Sequence, residues 1–187
     1  MSNQINKIIK ERRSIYPLEF TGKIIEESIV ECLLENANYA PNHHSNYPWR
    51  FVVLEKSIIE DWMDCAIDIY KRETPIEKIK ESKLRKLEAY KSKISNAIAI
   101  VLNQDFNDGS KEVENICAVA ASVQNMYLSL SQFRHVGGYW STGLGTYSRE
   151  MHGFLNLEID QKLLGFFIIG HVTEKRVDAN RKDIRSL

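Results

Sequence analysis

At 187 residues the chain is long enough for a substantial hydrophobic core, and we expect residues 1–187 to form a single domain. Twenty-five basic residues balance twenty-five acidic ones, so no net charge steers the protein toward nucleic acid or an anionic membrane surface. Three separated cysteines without a C-x-x-C pair, an N-terminus without a signal-peptide core, and apolar runs too short to span a bilayer predict a cytoplasmic protein.

The N-terminal part of the chain predicts two helices, a polar loop and a strand. Isoleucines at helical spacing indicate a first helix over residues 3–13, and an amphipathic stripe indicates a second over residues 24–39. The loop that follows, residues 40–49, is rich in turn formers, aromatic rings and imidazoles, and such loops often carry functional sites. It leads into a predicted strand over residues 50–55.

Two further helices precede a buried strand. Capping boxes at residues 57–60 and 74–77 predict helices over residues 57–72 and 75–93. The second of these helices alternates lysine with glutamate, which favours a solvent-exposed face over a nucleic-acid site. The continuous apolar run 97–102 predicts a strand that is buried on both faces.

The C-terminal half contains the longest predicted helix. Apolar residues recur at three and four positions over residues 111–133, and a Gly-Gly pair at 137–138 then breaks the helix. A compact aromatic and hydroxyl-rich segment follows at 139–143, with at most a short helix at 148–155 and a last buried strand at 163–170. Three strands between very unequal helical blocks predict an α+β or three-layer domain.

Most familiar catalytic motifs are absent from this sequence, including the G-x-S-x-G elbow, the G-x-G-x-x-G loop behind a strand and the P-loop. His43 and His44 are adjacent and point in different directions, so no metal site is predicted. Arg12, Arg13 and Ser14 offer two guanidiniums and a hydroxyl, which suit a phosphate. The alternative is that the arginines only close the first helix, where the helix dipole favours cations.

Taken in order, the motifs resemble those of the nitroreductase family of flavin mononucleotide (FMN) enzymes, and most closely its short members of under two hundred residues. The resemblance rests on Arg-Arg-Ser near the N-terminus, Ala-Pro and Pro-Trp around loop 40–49, Gly-Gly-Tyr-Trp-Ser-Thr-Gly at 137–143, and Lys-Leu-Leu-Gly-Phe-Phe-Ile-Ile-Gly at 162–170. It implies a nitroreductase-like three-layer α+β fold, with a mixed β-sheet flanked by helices, in an intertwined homodimer with exchanged extensions.

The resemblance also implies FMN as the cofactor and nine residues that bind it. Three belong to the Arg-Arg-Ser motif at the phosphate and ribityl end, two lie near the flavin of the partner subunit, three line the ring or ribityl chain, and one reaches the phosphate from the tail. They are, in that order, Arg12, Arg13 and Ser14, then Tyr39 and His43, then Trp140, Ser141 and Thr142, then Arg181.

The chain departs from many relatives in two places. Tyr16 and Pro17 stand where relatives carry a further arginine, and Ser45, Asn46 and Tyr47 stand where they carry Asn-x-Gln. A tyrosine cannot reproduce the paired donor and acceptor of a primary amide. The contacts at the edge of the flavin ring, and with them the choice of substrate, are therefore expected to differ.

The implied activity is that of an FMN-dependent oxidoreductase, which passes a hydride from NAD(P)H through flavin to an acceptor such as a nitroaromatic or a quinone, in a ping-pong cycle. Because the cofactor performs the chemistry, no catalytic nucleophile or general base is expected. Two alternatives stay open: a catalytically silent flavin-binding protein that serves as a sensor or cofactor store, and a helical interaction module. The sequence does not distinguish NADH from NADPH or identify the physiological acceptor.

Overall fold

The computed structural model describes residues 4–103, 109–174 and 181. The α-helices are α1 (Gln4–Glu11), α2 (Glu27–Ala37), α3 (Lys56–Glu73), α4 (Glu81–Lys93), α5 (Glu112–Ser129) and α6 (Arg149–Phe154). The strands are β1 (Trp49–Leu54), β2 (Asn96–Asn103), β3 (Val136–Ser141) and β4 (Gln161–His171). No helix within the described residues is both long and apolar enough to cross a lipid bilayer.

The four strands form one sheet in the order β1-β2-β4-β3. The central strands β2 and β4 are buried along most of their length, because their continuous apolar sequences can be covered on both faces. Each pairing among the described strands is antiparallel, so the parallel component of the predicted mixed sheet is not found in this part of the chain. β1 and β3 are the edges of the sheet.

Helices cover both faces of the sheet. On one face, α3, α4 and α6 pack against side chains such as Ala99 and Phe166. On the other face, α2 and α5 pack against the alternate side chains, which include Ile100 and Phe167. The helix, sheet and helix layers confirm the predicted three-layer α+β architecture.

Strand β3 was missed by the sequence analysis, which treated the Gly-Gly pair only as a helix break. Glycine is unfavourable within a strand, yet a Cβ at either position would crowd its neighbours. A Cβ on Gly138 would lie 2.6 Å from Leu130 Cδ1, and a Cβ on Gly137 would lie 3.0 Å from Ile15 Cβ. Close packing on both sides of the strand, rather than strand propensity, therefore explains the glycines.

The helix predicted over residues 75–93 is divided in two. Ile76–Lys78 form a 3-10 turn, extended residues follow, and α4 begins only afterwards. The hydroxyl of Tyr70 accepts the backbone N–H of Lys80 at 3.0 Å, which in a continuous helix would bond to a carbonyl four residues earlier. This side-chain acceptor stabilises the break that the capping pattern did not predict.

The other predicted elements are present, with small differences at their ends. α3 begins one residue before the predicted capping box at Ser57 and has no side-chain cap. α5 ends at Ser129 and continues as a 3-10 turn over Leu130–Gln132, whereas the prediction extended the helix to residue 133.

Two histidines meet at the C-terminal end of β4. The rings of His135 and His171 stack with their centroids 5.7 Å apart, and His171 Nδ1 lies 2.8 Å from Thr21 Oγ1. Desolvation, together with the nearby charges of Lys23 and His135, lowers the pKa of His171 below its ordinary value of 6.5. The folded protein therefore keeps this imidazole neutral at a pH where the unfolded chain protonates it.

Stability is expected to fall as the pH drops below about 6.5, because the unfolded chain then binds a proton that folded His171 resists. In the His171→Gln variant, the decrease in Tm between about pH 7.5 and about pH 5.5 should be smaller than in the parent. Thermal unfolding followed by circular dichroism measures this difference, with His152→Gln on α6 as the control. The same pH dependence in His171→Gln and the parent would contradict the assignment.

Candidate functional site

The Arg-Arg-Ser segment lies against the outer edge of β3. After α1 the chain becomes extended, and the backbone N–H of Ile15 donates to the carbonyl of Gly138 at 3.0 Å. A cavity of about 100 Å³ lies beside this contact, and its lining includes Arg12, Arg13 and residues 136–138. The N-terminal motif and the Gly-Gly motif, which are distant in sequence, therefore form one site.

Tyr127 of α5 connects the two motifs. Its hydroxyl accepts the backbone N–H of Trp140 at 2.7 Å and lies 3.1 Å from Ser14 Oγ. The guanidinium carbon of Arg12 lies 4.8 Å from the centre of the Tyr127 ring, a cation–π contact. The sequence analysis placed Tyr127 only in the apolar pattern of a helix, although a buried tyrosine usually needs a partner for its hydroxyl.

Of the two guanidiniums, Arg12 is the better placed to bind an anion. It is half-buried, and it makes no ion pair with a carboxylate of the described residues. Arg13 instead donates from Nη1 to the carbonyls of Lys10 at 2.6 Å and Arg12 at 2.7 Å, and so closes the end of α1. Arg12 and Ser14 together present the cation and the hydroxyl that suit a phosphate.

The residues that end β3 differ in accessibility. The indole N–H of Trp140 donates to the carbonyl of Leu164 at 3.1 Å, and the ring packs on the α2 and α5 side of the sheet. Ser141 is buried, and its hydroxyl accepts the N–H of Gly143 at 3.3 Å. Thr142 is exposed and lines a cavity of about 300 Å³ between the loop before α6 and helices α3 and α4. The side chain of Thr142 is thus the accessible one of the three.

Tyrosines line the opposite side of the same edge. The rings of Tyr16 and Tyr139 contact each other with their centroids 4.7 Å apart. Burial raises the pKa of Tyr90 on α4, and a hydrogen bond with Lys86 partly offsets the effect. Tyr16, where the family resemblance implies an arginine in many relatives, therefore supplies aromatic packing, while Lys86 supplies positive charge on this side of the edge.

The two residues predicted to act across a dimer do not line the cavity at Arg12 and Arg13. Tyr39 is 78% exposed and lines a groove between α1, α2 and α5. His43 is exposed in the loop before β1. In the same loop, Asn46 Nδ2 donates to Asn115 Oδ1 at 2.9 Å, which fixes the loop near the N-terminal end of α5. Asn46, one of the departures from relatives, therefore binds the protein interior.

The length of helix α5 separates the anchored end of the loop from the Arg-Arg-Ser motif. Asn115 and Tyr127 are twelve positions apart on α5, which corresponds to about 18 Å along the helix axis. Arg12 packs against Tyr127, near the C-terminal end of α5. Arg181 is exposed, and the tail residues on both sides of it lie outside the described ranges.

The loop has an unusual backbone conformation. His44, Ser45 and Tyr47 have φ angles of 50°, 53° and 47°. Left-handed backbone is unfavourable for residues that carry a Cβ, so the loop depends on contacts that hold it. Besides the contact of Asn46 with α5, the N–H of Tyr47 donates to Asn42 Oδ1 at 3.2 Å.

Comparison with known proteins identifies the family. The sequence model of the Nitroreductase family matches residues 9–171, which is most of the chain. The chain belongs to the nitroreductase family. A nitroreductase relative from Bacillus subtilis (strain 168), named "Putative NAD(P)H nitroreductase YfhC", is 23% identical over 181 residues, covering 97% of this chain and 91% of the relative.

Solved structures of other nitroreductases share the fold. The nitroreductase-like family protein from Bacillus cereus matches with a TM-score of 0.80 and 25% identity, over 100% of this chain and 95% of that one. The FMN-dependent nitroreductase NfnB from Mycobacterium smegmatis, solved in complex with NADPH, matches with a TM-score of 0.73 and 13% identity, over 95% of each chain. The predicted nitroreductase-like fold is confirmed.

Proposed function

We propose that this nitroreductase-family protein is an FMN-dependent oxidoreductase. It passes a hydride from NAD(P)H through the flavin to an electron acceptor such as a nitroaromatic or a quinone, in a ping-pong cycle. The observation that carries the proposal is that half-buried Arg12 and Ser14 both contact Tyr127 at the edge of β3. Membership of the family supports it, as does the related Mycobacterium smegmatis protein, which is named FMN-dependent and was solved with NADPH.

The side chains at this edge fit the phosphate end of FMN. A phosphate dianion is best held by charge-assisted hydrogen bonds from a guanidinium and a hydroxyl, which Arg12 and Ser14 supply. Within the described residues no carboxylate pairs with Arg12, so its charge is available to an anion. Arg13 adds positive charge while it closes α1, and Arg181 of the tail is proposed as a further phosphate contact.

Bound FMN supplies the hydride chemistry, which is why the proposal requires no protein nucleophile or general base. The task of the protein is to bind and orient. Arg12 and Ser14 would fix the phosphate end, and Trp140 and Ser141 hold the end of β3 through their hydrogen bonds with Leu164 and Gly143. Thr142 is exposed just beyond β3, and we propose that it would line the flavin ring or ribityl chain.

We further propose that two chains complete each site. None of the α1 residues is buried in the described chain, and apolar side chains are exposed on both α1 and α5: Ile5, Ile9, Val113 and Ile116. Exposed apolar surface of this kind marks a protein–protein interface. A homodimer that covers it would bring Tyr39 and His43 of the partner subunit toward the flavin held by Arg12, as the family resemblance implies.

Strand β1 offers a second place for a partner chain. It is an edge strand, and a groove of about 440 Å³ lies beside it, lined by Val53, by α2 and by the exposed side chain of Ile24. An added extended segment would satisfy the backbone groups at such an edge and bury the groove. We propose that the exchanged extension of an intertwined homodimer binds here.

The Arg12→Ala variant should lose more FMN affinity than the Arg13→Ala variant. Arg12→Ala deletes the available cation and is expected to weaken FMN binding by about ten- to a hundredfold, the value of a lost charge-assisted hydrogen bond. Arg13→Ala should change the affinity less, because its guanidinium already donates to backbone carbonyls. Fluorescence titration with FMN and the visible spectrum of the purified proteins measure both. Full flavin occupancy in the Arg12→Ala/Arg13→Ala double variant would show that the phosphate site lies elsewhere.

Stopped-flow mixing of the flavin-loaded protein with NADH and with NADPH tests the activity itself. The absorbance of oxidised flavin is expected to disappear rapidly with at least one nucleotide and to return on addition of a nitroaromatic or a quinone. Bound flavin that neither nucleotide reduces would instead indicate a sensor or cofactor store. A colourless protein that takes up no added flavin would indicate an interaction module.

The proposed homodimer can be tested by introducing a charged residue on the exposed face of α5. Val113 is 62% exposed in the first turn of the helix, where a carboxylate is favourable for the helix itself. Val113→Glu is therefore expected to give a folded monomer, measured by light scattering, that has lost most of its FMN affinity. Ile159→Glu, at a fully exposed position outside this face, should leave both properties unchanged. A Val113→Glu monomer that binds FMN as tightly as the parent would refute a shared site.

A further inference from the structure

We infer that the Tyr127 hydroxyl is a positioning group that fixes Ser14 as a hydrogen-bond donor to the flavin phosphate. The inference rests on the proposed function and goes beyond it, because it assigns a specific role to a residue of α5. Tyr127 touches three of the predicted cofactor-binding residues through separate parts of its side chain. These are Trp140 and Ser14 at the hydroxyl and Arg12 at the ring face.

The hydrogen bond from Trp140 has a fixed direction, and the inference assigns the direction of the one between Tyr127 and Ser14. The backbone N–H of Trp140 can only donate, so the Tyr127 oxygen accepts it at 2.7 Å. A phenol has one proton of its own, and Ser14 Oγ lies 3.1 Å from the same oxygen. With the Tyr127 proton directed to Ser14, the serine keeps its own proton to donate outward.

The chain of donors therefore runs from the sheet to the surface. Tyr127 is buried and Ser14 is exposed, so the last donor in the chain is the one that a ligand can reach. Hydrogen bonds in such a chain polarise one another and strengthen the terminal donor. An anion is the ligand that gains most from a terminal donor, and Arg12 adds a positive charge beside it.

The ring of Tyr127 fixes the geometry of both donors. It meets Phe167 of β4 edge to face, with the centroids 4.7 Å apart and the planes at 87°. The Arg12 guanidinium packs on the same ring. Cation and hydroxyl are thus held relative to one rigid group in the core. This arrangement gives ordered donors to a site where Tyr16 replaces the further arginine of many relatives.

The Tyr127→Phe variant isolates the hydroxyl, because phenylalanine keeps the ring, its packing and the cation–π contact. The probes are FMN and riboflavin, which differ only in the phosphate. Tyr127→Phe is expected to weaken FMN binding by about tenfold and to change riboflavin binding by less than about twofold. The ratio of the two dissociation constants, measured by flavin fluorescence titration, is a readout that a purely structural role of Tyr127 would not move.

Three further variants extend the comparison. Tyr70→Phe also deletes a hydroxyl that accepts a backbone N–H, that of Lys80, and should leave the FMN to riboflavin ratio unchanged. Ser14→Ala should lower the preference for FMN as much as Tyr127→Phe does. The Ser14→Ala/Tyr127→Phe double variant should lose no more than Ser14→Ala alone, because both changes interrupt one chain of donors.

An unchanged ratio of the two dissociation constants in Tyr127→Phe would overturn the inference, whether both affinities fall equally or neither falls. In either case the loss of FMN by Arg12→Ala would still support the proposed function. If the parent protein binds neither flavin, the proposed function itself fails. If Tyr127→Phe does not fold, Ser14→Ala decides, since the exposed serine is not needed for folding. Undiminished FMN affinity in Ser14→Ala would then refute the chain of donors.

Discussion

Burial of β2 and β4 on both faces is the constraint on which the rest of the structure depends. Two central strands without a solvent-exposed face require a helical layer on each side, and the two core clusters on either side of the sheet meet that requirement. A doubly covered sheet cannot bind a polar ligand at its centre. The cavity beside Arg12 and the groove beside β1 accordingly lie at the two edges of the sheet.

The glycines of β3 allow neighbouring segments to pack closely at this edge of the sheet, where the candidate site lies. With no Cβ at Gly137 and Gly138, Ile15 approaches the strand from one side and the end of α5 from the other. The segment before Ile15 is thereby brought within hydrogen-bond distance of Tyr127. Close packing at the sheet edge, together with the hydrogen bond from Ile15 to Gly138, places the N-terminal motif beside the end of β3.

Much of the fold follows from local sequence patterns, but the site follows from them only in part. Long periodic or continuously apolar segments, such as β2 and α5, are predictable because the hydrophobicity of their own residues indicates which positions are buried. β3 is not, because its glycines are selected by neighbours that are distant in sequence. The motif order was sufficient to predict the family and the fold, whereas the different roles of Arg12 and Arg13 depend on where one helix ends. The role of Tyr127 could not be predicted from an apolar helix pattern, since the pattern records burial and not hydrogen bonding.

The strained loop before β1 has a consequence for how such a site can diverge. Three left-handed residues cost roughly 1–2 kcal/mol each relative to right-handed backbone, and an amide contact with Asn115 helps to hold them. Asn115 is buried within α5 and is not among the predicted cofactor-binding residues. A substitution of Asn115 would remove its hydrogen bond with Asn46 and so change the conformation of the loop. That loop carries His43, which is proposed to face the flavin of the partner subunit. Specificity in closely similar chains can thus change through an interior helix position, without any change among the residues that contact the ligand.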